Sequence, residues 1–85
     1  MILDFEIAPA DDARKELAAA LTHVDKFLQS RENGLAHASK EDLKAYVRSM
    51  FSSSADVLSM QVNKDHYLLE LELGYVKVTA KLKRY

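Results

Sequence analysis

Tyr67-Leu68-Leu69-Glu70-Leu71-Glu72-Leu73-Gly74-Tyr75-Val76-Lys77-Val78-Thr79-Ala80-Lys81-Leu82 is the stretch that decides the fold. A two-residue loop with glycine first is a type II′ turn, whose twist suits the strands it joins. With Gly74-Tyr75 as that loop, Leu73 falls opposite Val76, Leu71 opposite Val78, Leu69 opposite Ala80 and Tyr67 opposite Leu82. Every one of these pairs is apolar. On the other face Glu72 meets Lys77 and Glu70 meets Thr79, which is favourable cross-strand pairing. A slip of one residue would set apolar against charged throughout, so the register is strongly specified.

Upstream, Asn63-Lys64-Asp65-His66 reads as a longer polar hairpin loop. It sets Val62 opposite Tyr67, Met60 opposite Leu69 and Leu58 opposite Leu71, again with the apolar residues on one side. Two turns placed independently agree on one buried face, the consistency expected of a foldable sequence. Ala55 to Tyr85 is therefore predicted to be a three-stranded antiparallel meander.

The front of the chain supplies what must cover that face. Leu3, Phe5 and Ile7 alternate with Asp4 and Glu6, predicting a short strand with one buried side. Pro9 suits the first turn of a helix, and Asp11 and Asp12 suit the positive end of its dipole. From Ala10 to about Ser30, residues Ala13, Leu17, Ala20, Leu21, Val24, Phe27 and Leu28 form one helical stripe. Asn33-Gly34 is a stop signal. After the connection Leu35 to Ala38, Ser39 with Asp42 reads as a capping box. It opens a second helix, about Lys40 to Ser52, with Leu43, Tyr46, Val47, Met50 and Phe51 inward. Ser52-Ser53-Ser54 leads into the meander.

The order β-α-α-β-β-β predicts a single α+β domain over 1–85, a two-layer sandwich. In it a helical hairpin covers one face of a four-stranded antiparallel sheet. Asp4 and Glu6 complement Lys77, Lys81 and Lys83. That places the first strand beside the last and predicts the strand order 2-3-4-1.

Composition bounds the function. In 85 residues, 48% are hydrophobic and 29% charged, the balance of an ordinary soluble globular domain. The chain has no cysteine, which excludes disulfides, thiolate metal sites and cysteine nucleophiles, and fits a reducing compartment. A formal net charge of −1 lacks the basic excess of a dedicated nucleic-acid binder. No apolar run approaches the ~18 residues that span a bilayer. Met1 to Glu6 carries early acids and no basic region of a secretory signal. The expectation is a cytoplasmic protein with no membrane partner.

Signatures of chemistry are missing. His23, His37 and His66 are dispersed, with no i, i+4 pair and no acidic cluster, so no metal site is expected. Ser52, Ser53 and Ser54 lack the Gly-x-Ser-x-Gly setting of a nucleophile. Gly34 and Gly74 are the only glycines, too few for a phosphate-cradling loop, and no cofactor is expected. Glu70 and Glu72 are explained by strand pairing before acid–base catalysis. The chain nominates no catalytic residue, which weighs against an enzyme.

Charge and exposure do nominate surfaces. Lys40, Lys44 and Arg48, at i, i+4 and i+8, form a ridge along the second helix. Lys77, Lys81, Lys83 and Arg84, closed by Tyr85, form the densest basic segment. Glu70 and Glu72 run beside it, and Tyr75 stands at the turn.

The element order resembles that of the RelE/ParE family of toxin–antitoxin toxins, similar-sized proteins that cleave ribosome-bound mRNA or act on gyrase. Lys81, Lys83, Arg84 and Tyr85 answer to the late basic-aromatic segment of the ribonuclease members. Glu70 and Glu72 stand where phosphate-binding arginines would be wanted. The resemblance implies a toxin-type ribonuclease, or a ribosome or RNA binder, working through that segment. Fold alone does not carry function. The first reading is a small non-catalytic protein-binding module, a regulator, adaptor or inhibitor of the kind frequent among phage and mobile-element products. Its candidate contacts are Glu70, Glu72, Tyr75, Lys77, Lys81, Lys83, Arg84, Lys40, Lys44 and Arg48. Self-pairing through an edge strand would make it a homodimer. The toxin-type reading is the second and an assembly subunit of a larger particle the third.

Overall fold

The alternating and helical patterns fold as expected in a computed structural model, which describes residues 1–8, 14–34, 37–74 and 76–84. Strand β1 (Ile2–Ala8) is followed by helices α1 (Arg14–Gly34) and α2 (Lys40–Met50). Strands β2 (Asp56–Val62), β3 (His66–Leu73) and β4 (Val76–Lys83) complete the chain. The sheet is antiparallel, in the order β1-β4-β3-β2, which is the predicted order read from its other edge. Predictions placed on Pro9, Asp11, Asp12, Ala13, Leu35, Tyr75 and Tyr85 lie outside the described residues.

The β3–β4 hairpin holds the register read from Gly74, from Tyr67↔Leu82 to Leu73↔Val76. Gly74 itself has φ +68°, a backbone region that glycine enters without steric cost. Both helices lie on one face of the sheet, α1 against β1 and α2 against β2. Between the layers sits one core, including Leu21, Val24, Leu28, Leu43, Val47, Tyr67, Leu69, Leu71, Val78 and Leu82. The predicted capping box is present. Ser39 Oγ accepts from the Asp42 amide at 3.1 Å, and the Asp42 carboxylate accepts from the Ser39 amide at 3.3 Å. On the solvent-side flank of the helical pair, the Phe27 and Tyr46 rings stack at 4.3 Å.

Both edge strands depart from simple alternation, and for the same reason. In β2, Met60 and Val62 point inward at even positions, whereas Val57 and Ala55 are buried at odd ones. Only an inserted residue reconciles the two parities, and a bulge between Val57 and Ser59 supplies it. The predicted partner of Leu71 is therefore corrected from Leu58 to Val57, and Leu58 turns outward with 37% exposure. In β1, Phe5 and Ile7 face the core at odd positions, while Ile2 opposes buried Leu82. A register shift between Ile2 and Asp4 ejects Leu3, which was predicted inward and is 42% exposed.

α1 runs past the end of its apolar stripe near Ser30 and closes at Gly34, where Asn33-Gly34 reads as a stop, whereas the end of α2 differs from expectation. α2 stops at Met50, and the Phe51 amide bonds the Val47 carbonyl at 2.9 Å. Met50 and Phe51, predicted inward, are exposed. The core at this end is filled instead by fully buried Ala55 and by Val57. His66, read as a loop residue, is the first residue of β3 and pairs with Lys83.

Candidate interaction surface

The helices leave the other face of the sheet uncovered, and the registers fix what it displays. Across it, Asp4 aligns with Lys81 and then Leu68 and Gln61. The next row is Glu6, Thr79, Glu70 and Ser59, and the next sets Ala8, Lys77 and Glu72 side by side. Acids on β1 and β3 thus flank the lysines of β4, which favours the native register. Ser59 Oγ donates to Glu70 at 3.0 Å and ties β2 to β3 on this face. Ser59, Gln61, Leu68, Glu70 and Thr79 line a shallow depression of about 330 Å³. Leu58, ejected by its bulge, is exposed on edge strand β2 next to Ser59.

Glu70, Glu72, Lys77, Lys81 and Lys83, all nominated from sequence, come together here. The other nominees are drawn elsewhere. Lys44 Nζ lies 3.2 Å from Asp56, and the Arg48 guanidinium 3.9 Å from the same carboxylate. Arg48 Nε also donates to the Ala55 carbonyl at 3.1 Å. Two cations of the predicted ridge therefore clamp the start of β2 and only Lys40 stays clear of it. The Lys44 ammonium, with the Val57 amide and Arg48, holds the Asp56 carboxyl below its ordinary range.

Arg84 is withdrawn from the basic strip as well. Its Nε donates to Glu32 at 2.6 Å and its Nη1 to the Asn63 carbonyl at 2.9 Å. Its own amide bonds the Asp65 carbonyl at 2.9 Å. The Tyr67 hydroxyl donates to the same Glu32 oxygen, and the guanidinium sits 6.0 Å from the Tyr67 ring centre. The end of α1, the β2–β3 turn and the end of β4 are thereby joined. The Tyr67 hydroxyl bond, then Arg84, lowers the Glu32 carboxyl below its ordinary value. Burial, then the Glu32 carboxylate, raises the Tyr67 hydroxyl. At the turn, His66 Nδ1 lies 2.6 Å from Asp65, and Nε2 lies 3.2 Å from the Asn63 amide nitrogen. A neutral ring with its proton on Nδ1 satisfies both contacts. His66 holds Asp65 below the ordinary carboxylate range.

Sequence reasoning passed over Glu32, Asp25 and Asp56 as pairing groups. Asp25, 7% exposed, accepts from the Met1 ammonium at 2.6 Å and from Gln29 at 3.0 Å. Its helical position beside Val24 gave a signal, since a carboxylate at the margin of an apolar stripe needs a partner. Among the described residues no three histidines or carboxylates are grouped to hold a metal ion. No described helix is long and apolar enough to cross a membrane. No family model, curated protein or solved structure matches this chain.

Proposed function

We propose that this chain is a non-catalytic protein-binding module, of the regulator, adaptor or inhibitor class, that works through the uncovered face of its sheet. The observation that carries this reading is the outward placement of leucines on a charged surface. Leu58 is turned out by a bulge, and Leu68 sits half-buried beside the shallow depression between β2 and β4. Apolar anchors within a polar, charged rim are the anatomy of a protein–protein contact. The depression opens to solvent on the outer face, where a side chain of a partner can enter it.

Affinity capture from the native host tests it, comparing the parent chain with Leu58→Glu and Leu68→Glu. Both positions are at least partly exposed, so the variants are expected to melt close to the parent. The expected result is a partner protein retained by the parent and lost from both variants. Equal capture by all three chains contradicts the reading. Growth arrest on expression, relieved by Lys77→Ala with Lys81→Ala, would replace it with a nucleic-acid-directed one.

A further inference from the structure

The two edges of the sheet are not equivalent. β1 carries Asp4 and Glu6 along its length, whereas Val57-Leu58-Ser59-Met60-Gln61-Val62 in β2 has neither a charge nor a proline. Charges and prolines are the ordinary guards of an open strand edge. β2 is the last strand on its side, so one row of its backbone groups faces away from the sheet.

Which groups face out follows from the ladder. The Asn63 amide bonds the His66 carbonyl at 2.9 Å. Hydrogen-bonded and non-bonded pairs alternate in an antiparallel ladder. Asn63, Gln61 and Ser59 therefore bond inward to β3, while Met60 and Val62 turn their amides and carbonyls outward. The Val57 amide is already capped by the Asp56 carboxylate at 2.9 Å. The competent edge is Ser59 to Asn63.

We propose that this edge pairs antiparallel with the same edge of a second copy, with Gln61 on the twofold axis, extending the sheet across two chains. This register puts Met60 of each chain in a hydrogen-bonded pair with Val62 of the other, each pair exchanging two backbone bonds. All cross-strand neighbours match in kind. Met60 meets Val62 on the helix-covered side, Gln61 meets Gln61 as amide to amide, and Ser59 meets Asn63. A twofold at Met60 would instead bring the Leu58 bulge against Val62 and break the ladder. Self-pairing of β1 would bring its own acids together, which like-charge repulsion disfavours. A twofold pairing of one edge with itself is closed, so it stops at a dimer.

Met60 and Val62 are half-buried in one copy and pack against its core. Pairing covers them further. A contact built mainly on one strand edge falls at the small end of protein interfaces, so the dimer is sought in the range of weak association, about 10 µM to 1 mM.

The test is run on the purified chain. Light scattering over that range should show a monomer passing to a dimer. The chain has no cysteine, so Gln61→Cys introduces a single thiol at the axis. Non-bonded antiparallel pairs bring residues close enough for a disulfide. Mild oxidation should link Gln61→Cys at least about tenfold faster than Lys26→Cys, an exposed control on α1. Gln61→Lys should weaken the dimer at least about tenfold at an unchanged melting temperature. Leu68→Glu, on the outer face of a central strand, should leave dimerisation as it is. A monomer at every concentration overturns the proposal, as does cross-linking no faster than the control or an undiminished Gln61→Lys dimer. Dimerisation abolished by Leu68→Glu overturns it too, and assigns self-association to the outer face. The proposal does not rest on the outer-face reading, which a monomer would leave intact.

Discussion

β1 and β2 close the same sheet on opposite sides and use the same local device, yet they differ in what they present. Each carries a bulge that turns a leucine outward, Leu3 in one and Leu58 in the other. Each also has an aspartate whose carboxylate caps the next amide, Asp4 on Phe5 and Asp56 on Val57, both at 2.9 Å. Beyond that cap, β1 continues with Glu6, whereas β2 continues with uncharged residues to Val62. Bulge and cap interrupt an edge locally, and charge is what keeps the remainder in water. The sheet is thus guarded along one side and open along half of the other.

Equalising the edges should have the largest effect. Asp4→Ser combined with Glu6→Thr removes the guards of β1 and leaves two open edges, from which chains can join without closure. Light scattering should then report species larger than a dimer that grow with concentration, where the parent stops at two. A second contrast tests the bulge itself. Val57→Ala should cost about 2 kcal/mol through two lost carbons and the cavity they leave. Leu58→Ala should change stability by no more than about 0.5 kcal/mol. Denaturant unfolding of both variants checks this, and the reverse ranking would restore simple alternation in β2.

A smaller effect concerns what holds the open edge in place. Arg84 bonds the Asn63 carbonyl at the end of β2 and Glu32 at the end of α1. Arg84→Ala should cost about 1–2 kcal/mol, a net charge-assisted hydrogen bond at a partly exposed site. Glu32 has a folded-state value below its ordinary 4.5. A depressed carboxyl contributes stability that is present above the unfolded value and lost as pH falls through the folded one. Melting temperature should therefore drop as pH falls below about 4.5, and that acid limb should flatten in Glu32→Gln. Tyr67 acts at the opposite end. Its hydroxyl is raised in the folded state, so its contribution is complete below the unfolded value and begins to fade above about pH 10.

The meander and the helical stripes were legible because each is a periodic signal that a single slip would spoil. Gly74 with its flanking pairs fixed one register, and Ser39 with Asp42 fixed a helix start. The bulges were written in the sequence as a change of parity, from Met60 to Val57 and from Phe5 to Ile2. Reading either one requires knowing that Ala55, Val57 and Ile2 are claimed by the core, which alternation alone does not say. Charge pairing was half legible. Neighbours across a strand, such as Glu72 and Lys77, follow from register, and both stay on the surface predicted for them. Arg84 with Glu32 and Lys44 with Asp56 are long-range pairs between layers, set by where the helix ends fall against the sheet. No local pattern reports that distance, so three of the nominated basic groups, Lys44, Arg48 and Arg84, turned out to be structural ties.

Amide hydrogen exchange at Met60 and Val62, followed from dilute to concentrated protein, tests the inequality of the two edges most directly. Both amides should become protected as concentration rises, while the outward-facing Ile7 amide on β1 exchanges at the same rate throughout. Exchange at Met60 and Val62 that does not depend on concentration, or protection that appears at Ile7 instead, would contradict it.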